Sequence, residues 1–150
     1  MKLEKDYEEF LGLLNRHEVR YCIAGAFAVA FYAKPRYTKD IDILIEPTAA
    51  NSRRILKALE EFGFGELSLS QQDLTTEGNV IQLGFEPLRI DLLTKLEGFQ
   101  FRDIWNNRTS GTYGAEKVHF ISLEDLIKNK KQAGRPTDLV DVDLLEKARK

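Results

Sequence analysis

Apolar and polar residues follow two different spacings in the first third of this chain, and each spacing predicts a different element. Apolar residues three or four positions apart predict an amphipathic helix over residues 3–16. The run YCIAG then predicts a short buried strand ending at Gly25, and AFAVAFYA predicts a compact apolar helix that stops before Pro35. The β-branched run DIDILIEP predicts a second strand, and Thr48 is placed to cap a helix over AANSRRILKALEEFGF.

The middle of the chain contains three short apolar runs, for each of which we predict a strand: GELSLS, NVIQLGF and LRIDLLT, the last two forming a hairpin. Residues 97–117, rich in Gly, Asn and aromatic side chains, predict mostly loop with one short strand or turn. VHFI predicts the last strand. Two helices close the chain, SLEDLIKNKKQAG, which Ser122 can cap, and TDLVDVDLLEKARK. This order predicts an α+β fold with a mixed β-sheet flanked by helices.

Composition limits the size and the class of the protein. With 150 residues and 43% hydrophobic content, the chain can bury one core and is too short for two ordinary domains, so we predict a single domain over residues 1–150. The net charge of -2 gives no general attraction to polyanions. The single cysteine, Cys22, excludes an internal disulfide and suits a reducing compartment. Since no apolar segment has signal or membrane-spanning length, we predict a cytoplasmic protein without a membrane partner.

Two aspartates interrupt the predicted strand DIDILIEP. Alternate side chains of a strand share a face, so Asp40 and Asp42 should point one way and the isoleucines between and after them the other. Two like charges beside a core are costly unless a cation compensates them, and Mg²⁺ or Mn²⁺ takes carboxylate oxygens as ligands. Asp91 interrupts another apolar run, so the three acids could form a two-metal site for phosphoryl transfer. The alternatives are a solvated strand face for the pair and a turn-forming role for Asp91.

Gly25 lies at the predicted junction of a strand and a helix. A residue without Cβ lets the backbone turn tightly and approach a phosphate, and the N–H groups of a helix amino terminus attract anions. Together with the paired acids, this turn predicts a phosphate-binding site beside a metal site.

The order of these motifs resembles the nucleotidyltransferase superfamily built on the DNA polymerase beta-like core. The resemblance rests on Gly25 and Ala26, thirteen intervening residues, the triplet from Asp40 to Asp42, and Asp91 on a later strand. The segments RYTKDIDILIEP, RIDLLT and LIKNKKQAGRPTDLVDVDLL look most like small bacterial AbiEii-type nucleotidyltransferases, whose better-known members are toxins of toxin–antitoxin pairs. The resemblance implies a nucleotidyltransferase-like core followed by a C-terminal helical pair.

The resemblance also implies roles for individual residues. Asp40 and Asp42 would hold the metal, and Asp91 would complete the metal site and position or deprotonate the acceptor hydroxyl. Gly25 would bring the backbone against the nucleotide phosphates.

Further roles follow from the remaining motifs. Lys130 matches a lysine directed at the triphosphate, and Asp138 matches the acid that faces this lysine across the helical pair. Arg36 and Thr38 would lie near the phosphates. Ala26 departs from the superfamily pattern, which has Gly or Ser there; it keeps the backbone amide but lacks a hydroxyl for a phosphate oxygen.

These residues predict a Mg²⁺- or Mn²⁺-dependent enzyme that transfers a nucleoside monophosphate from an NTP to a hydroxyl. A tRNA 3′ end, a protein side chain and a small molecule are all open as acceptors, and the resemblance adds a toxin role with an antitoxin partner. Two other interpretations are a catalytically silent module that binds nucleotide or a partner, which Ala26 favours, and a metal-dependent nuclease. The nuclease lacks support because no Glu-x-Lys follows Asp91.

Overall fold

A mixed sheet of six strands forms the centre of the computed structural model, which describes residues 4–33, 40–64, 68–85 and 88–149. The strands are β1 (Tyr21–Ala24), β2 (Asp40–Ile45), β3 (Val80–Phe85), β4 (Leu88–Leu93), β5 (Thr109–Tyr113) and β6 (Glu116–Phe120). Their order in the sheet is β3-β4-β2-β1-β6-β5. The pairs β2–β4 and β1–β6 are parallel, and the other three pairs are antiparallel.

Helices flank this sheet and complete the α+β fold that the sequence predicts. They are α1 (Lys5–Arg16), α2 (Gly25–Tyr32), α3 (Ala49–Leu59), α4 (Gln71–Thr75), α5 (Phe101–Asn107), α6 (Leu123–Ala133) and α7 (Pro136–Arg149). A π-helical turn, Glu60–Phe64, continues α3 and contains Gly63 at φ 103°. In the described ranges no helix has both the length and the apolar character needed to cross a membrane.

Strand β2 has the two-faced pattern that its sequence predicts. Ile41, Ile43 and Ile45 are each at most 1% exposed, whereas Asp40 and Asp42 on the other face are only partly buried. The neighbouring strand β1 is buried throughout and includes the free cysteine, Cys22. Burial raises the pKa of the Cys22 thiol to about 12, so this thiol stays protonated and unreactive at neutral pH.

Side-chain caps fix two of the predicted helix starts. The Thr48 hydroxyl accepts a hydrogen bond from the Asn51 amide, and the Ser122 hydroxyl accepts one from the Asp125 amide. At the other end of α6, Gly134 adopts the left-handed conformation (φ 64°) that commonly closes a helix. The short turn between α6 and α7 therefore brings the two C-terminal helices together, as the sequence predicts.

The predicted strand GELSLS is wrong over its described part, because residues 68–70 have no regular structure. Ser70 instead starts α4: its hydroxyl accepts from the Asp73 amide, and the Asp73 carboxylate accepts from the Ser70 amide. This reciprocal pair is a capping box, which gives the polar segment QQDLT a helical start that its low apolar content does not suggest.

Over residues 97–117 the short strand that the sequence predicts is present as β5, but the prediction of mostly loop is wrong, since the segment also contains α5 and the start of β6. The helix buries Ile104, and β5 pairs along its whole length with β6. Gly111, taken from the sequence as a loop signal, sits within β5 for a steric reason. A Cβ there would lie 2.7 Å from a ring carbon of Phe31 and 2.8 Å from one of Phe120, two rings that stack with centroids 4.0 Å apart.

Candidate active site

The three predicted carboxylates meet on one face of the parallel pair β2–β4. Asp42 lies directly opposite Asp91, and Asp40 lies opposite Arg89, two positions earlier on both strands. Residues two apart on a strand share a face, so all four side chains belong to the same patch of the sheet. We call Asp40, Asp42 and Asp91 the acidic patch. The acids thus lie on adjacent strands, and β2 is an interior strand of the sheet, not an edge strand.

Arg89 is the cation inside the acidic patch, and the sequence analysis did not single it out. Its Nε donates to Asp91 Oδ1 over 3.0 Å, and its Nη2 donates to Asp91 Oδ2 over 3.3 Å. The same Nη2 donates to Asp40 Oδ2 over 2.9 Å. The guanidinium therefore bridges two of the three carboxylates, in the planar fork arrangement that arginine provides and lysine does not.

A buried tyrosine fixes the backbone beneath this guanidinium. The Tyr7 hydroxyl donates to the Arg89 carbonyl and accepts from the Arg89 amide, both over 3.0 Å. Burial raises the pKa of Tyr7 to about 12, so the hydroxyl keeps the proton that it donates. Helix α1 thereby holds the start of β4 in register with β2, while the side chain of Arg89 stays 28% exposed.

Asp42 differs from the other two acids in its electrostatics. Burial first, and then the charges of Asp91 and Asp40, raise the pKa of its carboxyl from 3.8 to about 6, although Lys130 and Arg89 act in the opposite direction. No hydrogen bond or ion pair joins Asp42 to another side chain within the described segments. A carboxylate in this state gains more than the others from a nearby cation.

The glycine turn lies against Asp42, because Ala24 at the end of β1 pairs with Asp42 of β2. Gly25 follows with φ 63°, in the left-handed region, and opens α2. A Cβ at this position would lie 3.1 Å from Asp42 Cβ and Cγ and would overlap Asp42 Oδ2. Glycine is thus required both by the backbone conformation and by the close approach of the acid. No side chain caps α2, whose second residue is Ala26.

Lys130 of α6 is held by two aspartates of α7. Its ammonium lies 3.4 Å from Asp138 Oδ1 and 3.1 Å from Asp141 Oδ2. All three residues are buried: Lys130 is 8% exposed, Asp138 is 1% exposed and Asp141 is 2% exposed. The contact between Lys130 and Asp138 is therefore observed. Asp141 is a second partner that sequence reasoning missed, although its position three residues after Asp138 places both on one helix face.

Arg135 anchors Asp138 from the turn between the two helices. Its Nε donates to Asp138 Oδ2 over 2.6 Å, and its backbone amide donates to the same oxygen over 3.2 Å. These hydrogen bonds hold the pKa of the Asp138 carboxyl below its usual value. Asp138 thus stays ionised at the amino terminus of α7 and keeps its charge for Lys130.

Two predicted site residues, Arg36 and Thr38, lie outside the described residues. A cleft of about 690 Å³ lies at the other end of β1, where Val19 and Arg20 precede the strand, and contains none of the predicted site residues. We therefore place the candidate chemistry at the acidic patch, where charge and backbone geometry coincide.

The donor chemistry of the acidic patch suits a hard divalent cation. In the part of the chain that the structure describes, no three His, Cys, Asp or Glu side chains are already arranged around a metal position. Arg89 instead lies between Asp40 and Asp91. Three carboxylates and one guanidinium nevertheless leave an excess of two negative charges, and oxygen ligands are those that Mg²⁺ and Mn²⁺ prefer.

Comparison with known proteins gives a family for the chain and two structures with a similar fold. A family model described as "Nucleotidyl transferase of unknown function (DUF2204)" matches residues 3–149. The chain is similar to the crystal structure of the lincosamide antibiotic adenylyltransferase LnuA with lincomycin bound, with a TM-score of 0.62 and 22% identity over 95% of this chain and 96% of that chain. It is also similar to ANT(2″)-Ia in complex with adenylyl-2″-tobramycin, with a TM-score of 0.58 and 14% identity over 95% and 90%. No curated protein matches it. At these identities the two structures show a shared fold.

Proposed function

The chain belongs to the nucleotidyl transferase family of unknown function DUF2204, and on that premise we propose that it transfers a nucleoside monophosphate from an NTP to a hydroxyl, with Mg²⁺ or Mn²⁺ held by the acidic patch. The observation that carries the proposal is the placement of Asp42 opposite Asp91 and against the turn at Gly25. The proposed metal ligands thereby lie next to the backbone turn at Gly25, which is the proposed contact for the phosphates.

The reaction that this site supports is an in-line displacement at the α-phosphorus. The acceptor oxygen forms a bond to the α-phosphorus, the bond from that phosphorus to the bridging oxygen of the β-phosphate breaks, and pyrophosphate leaves. The hydroxyl proton passes to Asp91, which lies on the strand beside the metal-holding pair. When bound at Asp40, Asp42 and Asp91, the divalent cation supplies the charge that stabilises the transition state and orients the phosphates.

The amino terminus of α2 is the proposed phosphate contact. The first N–H groups of a helix have no partner within the helix and carry partial positive charge. Because no side chain among the described residues caps α2, we propose that these groups bind phosphate oxygens, which the missing Cβ of Gly25 lets approach. Ala26 contributes its amide to this contact without a hydroxyl.

Lys130 is the proposed cation at the triphosphate end of the site. The support is that α6 packs against α2, whose amino terminus adjoins Asp42, and that the charge of Lys130 lowers the pKa of Asp42. Two aspartates hold its ammonium, so the lysine is positioned before a nucleotide arrives. We propose that it gives up part of this pairing to a phosphate oxygen.

For the acceptor, we propose a small hydroxylated molecule before a tRNA 3′ end or a protein side chain. The support is that one of the two similar structures is a lincosamide antibiotic adenylyltransferase with lincomycin bound, and the other is a complex with adenylyl-2″-tobramycin. The toxin role, its antitoxin partner and the AbiEii-type relationship are supported by the sequence motifs alone. We also propose that residues 1–150 act as one domain in the cytoplasm, where a buried free thiol such as Cys22 stays reduced.

The test is nucleotide transfer by the purified chain. Each α-labelled NTP is incubated with Mg²⁺ and, separately, with a panel of hydroxylated small molecules, total tRNA and cellular protein. We expect label transfer to one class, at least about 100-fold reduced in Asp42→Ala because a metal ligand is lost. Asp143→Ala is the matched control, since Asp143 is 66% exposed on α7 and pairs only at the surface with Lys147. NTP binding without transfer to any acceptor would support the silent module instead, and cleavage of nucleic acid would support the nuclease.

A further inference from the structure

We propose that the Arg89 guanidinium competes with the divalent cation for Asp40 and Asp91, so that it sets the metal affinity of the free protein. This inference rests on the proposed function, since it concerns the same acidic patch. Arg89 is the first residue of the segment RIDLLT, in which the resemblance gives a role to Asp91 alone.

Arg89 already occupies carboxylate oxygens that a metal would need. Both oxygens of Asp91 accept hydrogen bonds from Arg89, and Oδ2 of Asp40 accepts from the same nitrogen, Nη2. A metal that took ligands from both Asp40 and Asp91 would bind where the guanidinium now bridges them. Carboxylate oxygens have further lone pairs, but a divalent cation about 4 Å from a guanidinium is repelled by it even where geometry allows both.

The main chain of Arg89 is held by its neighbours, whereas its side chain reaches the surface of the protein. Its backbone is fixed by both hydrogen bonds to Tyr7, and by pairing with Asp40 of β2 on one side and Gly84 of β3 on the other. Its side chain, however, is 28% exposed, so the guanidinium can move toward solvent without any change in the strand. The structure thus separates a fixed main chain from a side chain that can be displaced.

The charges of the acidic patch and of Arg89 also favour competition between the guanidinium and a metal. Without Arg89 the three carboxylates carry three negative charges, and with it the patch carries two, which one divalent cation neutralises. The ammonium of Lys130 also acts on Asp42, but it lies outside the patch and is paired with Asp138 and Asp141, so it offsets the charge of the patch only in part. With Arg89 bridging, Asp42 is the carboxylate that has no hydrogen-bonding partner among the described residues, so the first metal contact should form there.

The test is Mn²⁺ binding by the nucleotide-free protein, measured by electron paramagnetic resonance at about pH 8, above the pKa of about 6 of Asp42. We expect Arg89→Met to bind Mn²⁺ at least about tenfold more tightly than the unmodified chain, because charge-assisted hydrogen bonds no longer compete for the ligands. Arg89→Lys, which keeps the charge but loses the fork, should show a smaller increase. Arg20→Met is the control: Arg20 is 51% exposed, pairs with Glu46 and lies before β1, away from the acidic patch.

An unchanged or weaker affinity in Arg89→Met would overturn the proposal, because it would mean that Arg89 leaves the metal alone or orients its ligands. If Arg89→Met folds only when Mn²⁺ is added, the metal is replacing the guanidinium, which supports the proposal. If it does not fold under either condition, Arg89→Lys decides by the same direction of change. Failure of the proposed function gives a different result: neither the unmodified chain nor any variant would bind Mn²⁺, and Asp42→Ala would change nothing.

Discussion

Replacing Asp42 with asparagine should make the metal-free protein more stable at neutral pH while removing its activity. The carboxyl of Asp42 is destabilised in its charged form, mainly by burial and then by the charges of Asp91 and Asp40, and its pKa rises from 3.8 to about 6. An amide has almost the same shape and carries no charge. The variant Asp42→Asn would therefore escape this cost but would lose the oxygen ligand that the metal needs.

The magnitude and the sign follow from the linkage between protonation and folding. A pKa raised from 3.8 to about 6 corresponds to roughly 3 kcal/mol between the two protonation states. Because the folded-state pKa is raised, the favourable contribution of the protonated carboxyl is complete below about pH 4 and is lost as the pH rises through about 6. Since the buried amide also loses hydrogen bonds to water, we expect Asp42→Asn to gain about 1–3 kcal/mol at pH 8, or about 3–9 °C in melting temperature.

The assay is thermal unfolding in the presence of a chelator, from about pH 4 to about pH 8. The melting temperatures of Asp42→Asn and the unmodified chain should coincide at the acidic end and separate as the pH rises, with the variant higher. Asp143→Asn, at a residue 66% exposed on α7, should track the unmodified chain throughout. In a second set of samples without the chelator, Mg²⁺ should raise the melting temperature of the unmodified chain and leave that of Asp42→Asn almost unchanged. A variant that is less stable at pH 8, or a gap that does not depend on pH, would refute the reasoning.

Two further substitutions test the turn and the buried lysine. Gly25→Ala should lower the unfolding free energy by about 1–2 kcal/mol, because alanine disfavours the left-handed backbone conformation at this position. It should also remove nucleotide transfer, because the added Cβ would displace Asp42. Gly78→Ala, at φ 91° with no atom within 4 Å of the added Cβ, is the control that should share the backbone cost and keep the activity. Lys130→Met should lower the unfolding free energy by about 3–5 kcal/mol, because it leaves two buried aspartates without their shared cation. In urea unfolding, Lys128→Met on the exposed face of α6 should stay within about 0.5 kcal/mol, and equal effects of the two lysine changes would contradict the buried ion cluster.

The parts of the fold that the sequence predicts correctly are those in which one local rule decides the structure. In β2, alternation with period two places isoleucines inside and aspartates outside, and no neighbour is needed to explain it. At the start of α6, the Ser122 hydroxyl fixes the helix through an amide three residues away. The acidic patch itself follows from this alternation, once β2 and β4 are adjacent.

The parts that the sequence does not predict depend on distant neighbours. Gly111 belongs to a strand because it pairs with Val118 of β6, and it is a glycine because Phe31, eighty positions earlier in the chain, stacks on Phe120 and occupies the space that a Cβ would need. The spacing in RIDLL predicts that Arg89 and Asp91 share one face of their strand. The hydrogen bond from Arg89 to Asp40, however, depends on the parallel pairing of β2 with β4. Rules that relate residues a few positions apart cannot predict either of these contacts between distant residues.

Helix α7 is oriented by charged residues as well as by the core. It buries Asp138, Asp141 and Leu145, whereas Leu139 is 54% exposed and Val140 is 60% exposed. A helix oriented by its apolar residues alone would bury Leu139 and Val140 before the two aspartates. Burying two carboxylates and an ammonium contributes little net stability compared with apolar residues of the same size. We infer that the orientation of α7 is selected to hold Lys130 at one position beside the acidic patch, and that stability is lost in return for that position.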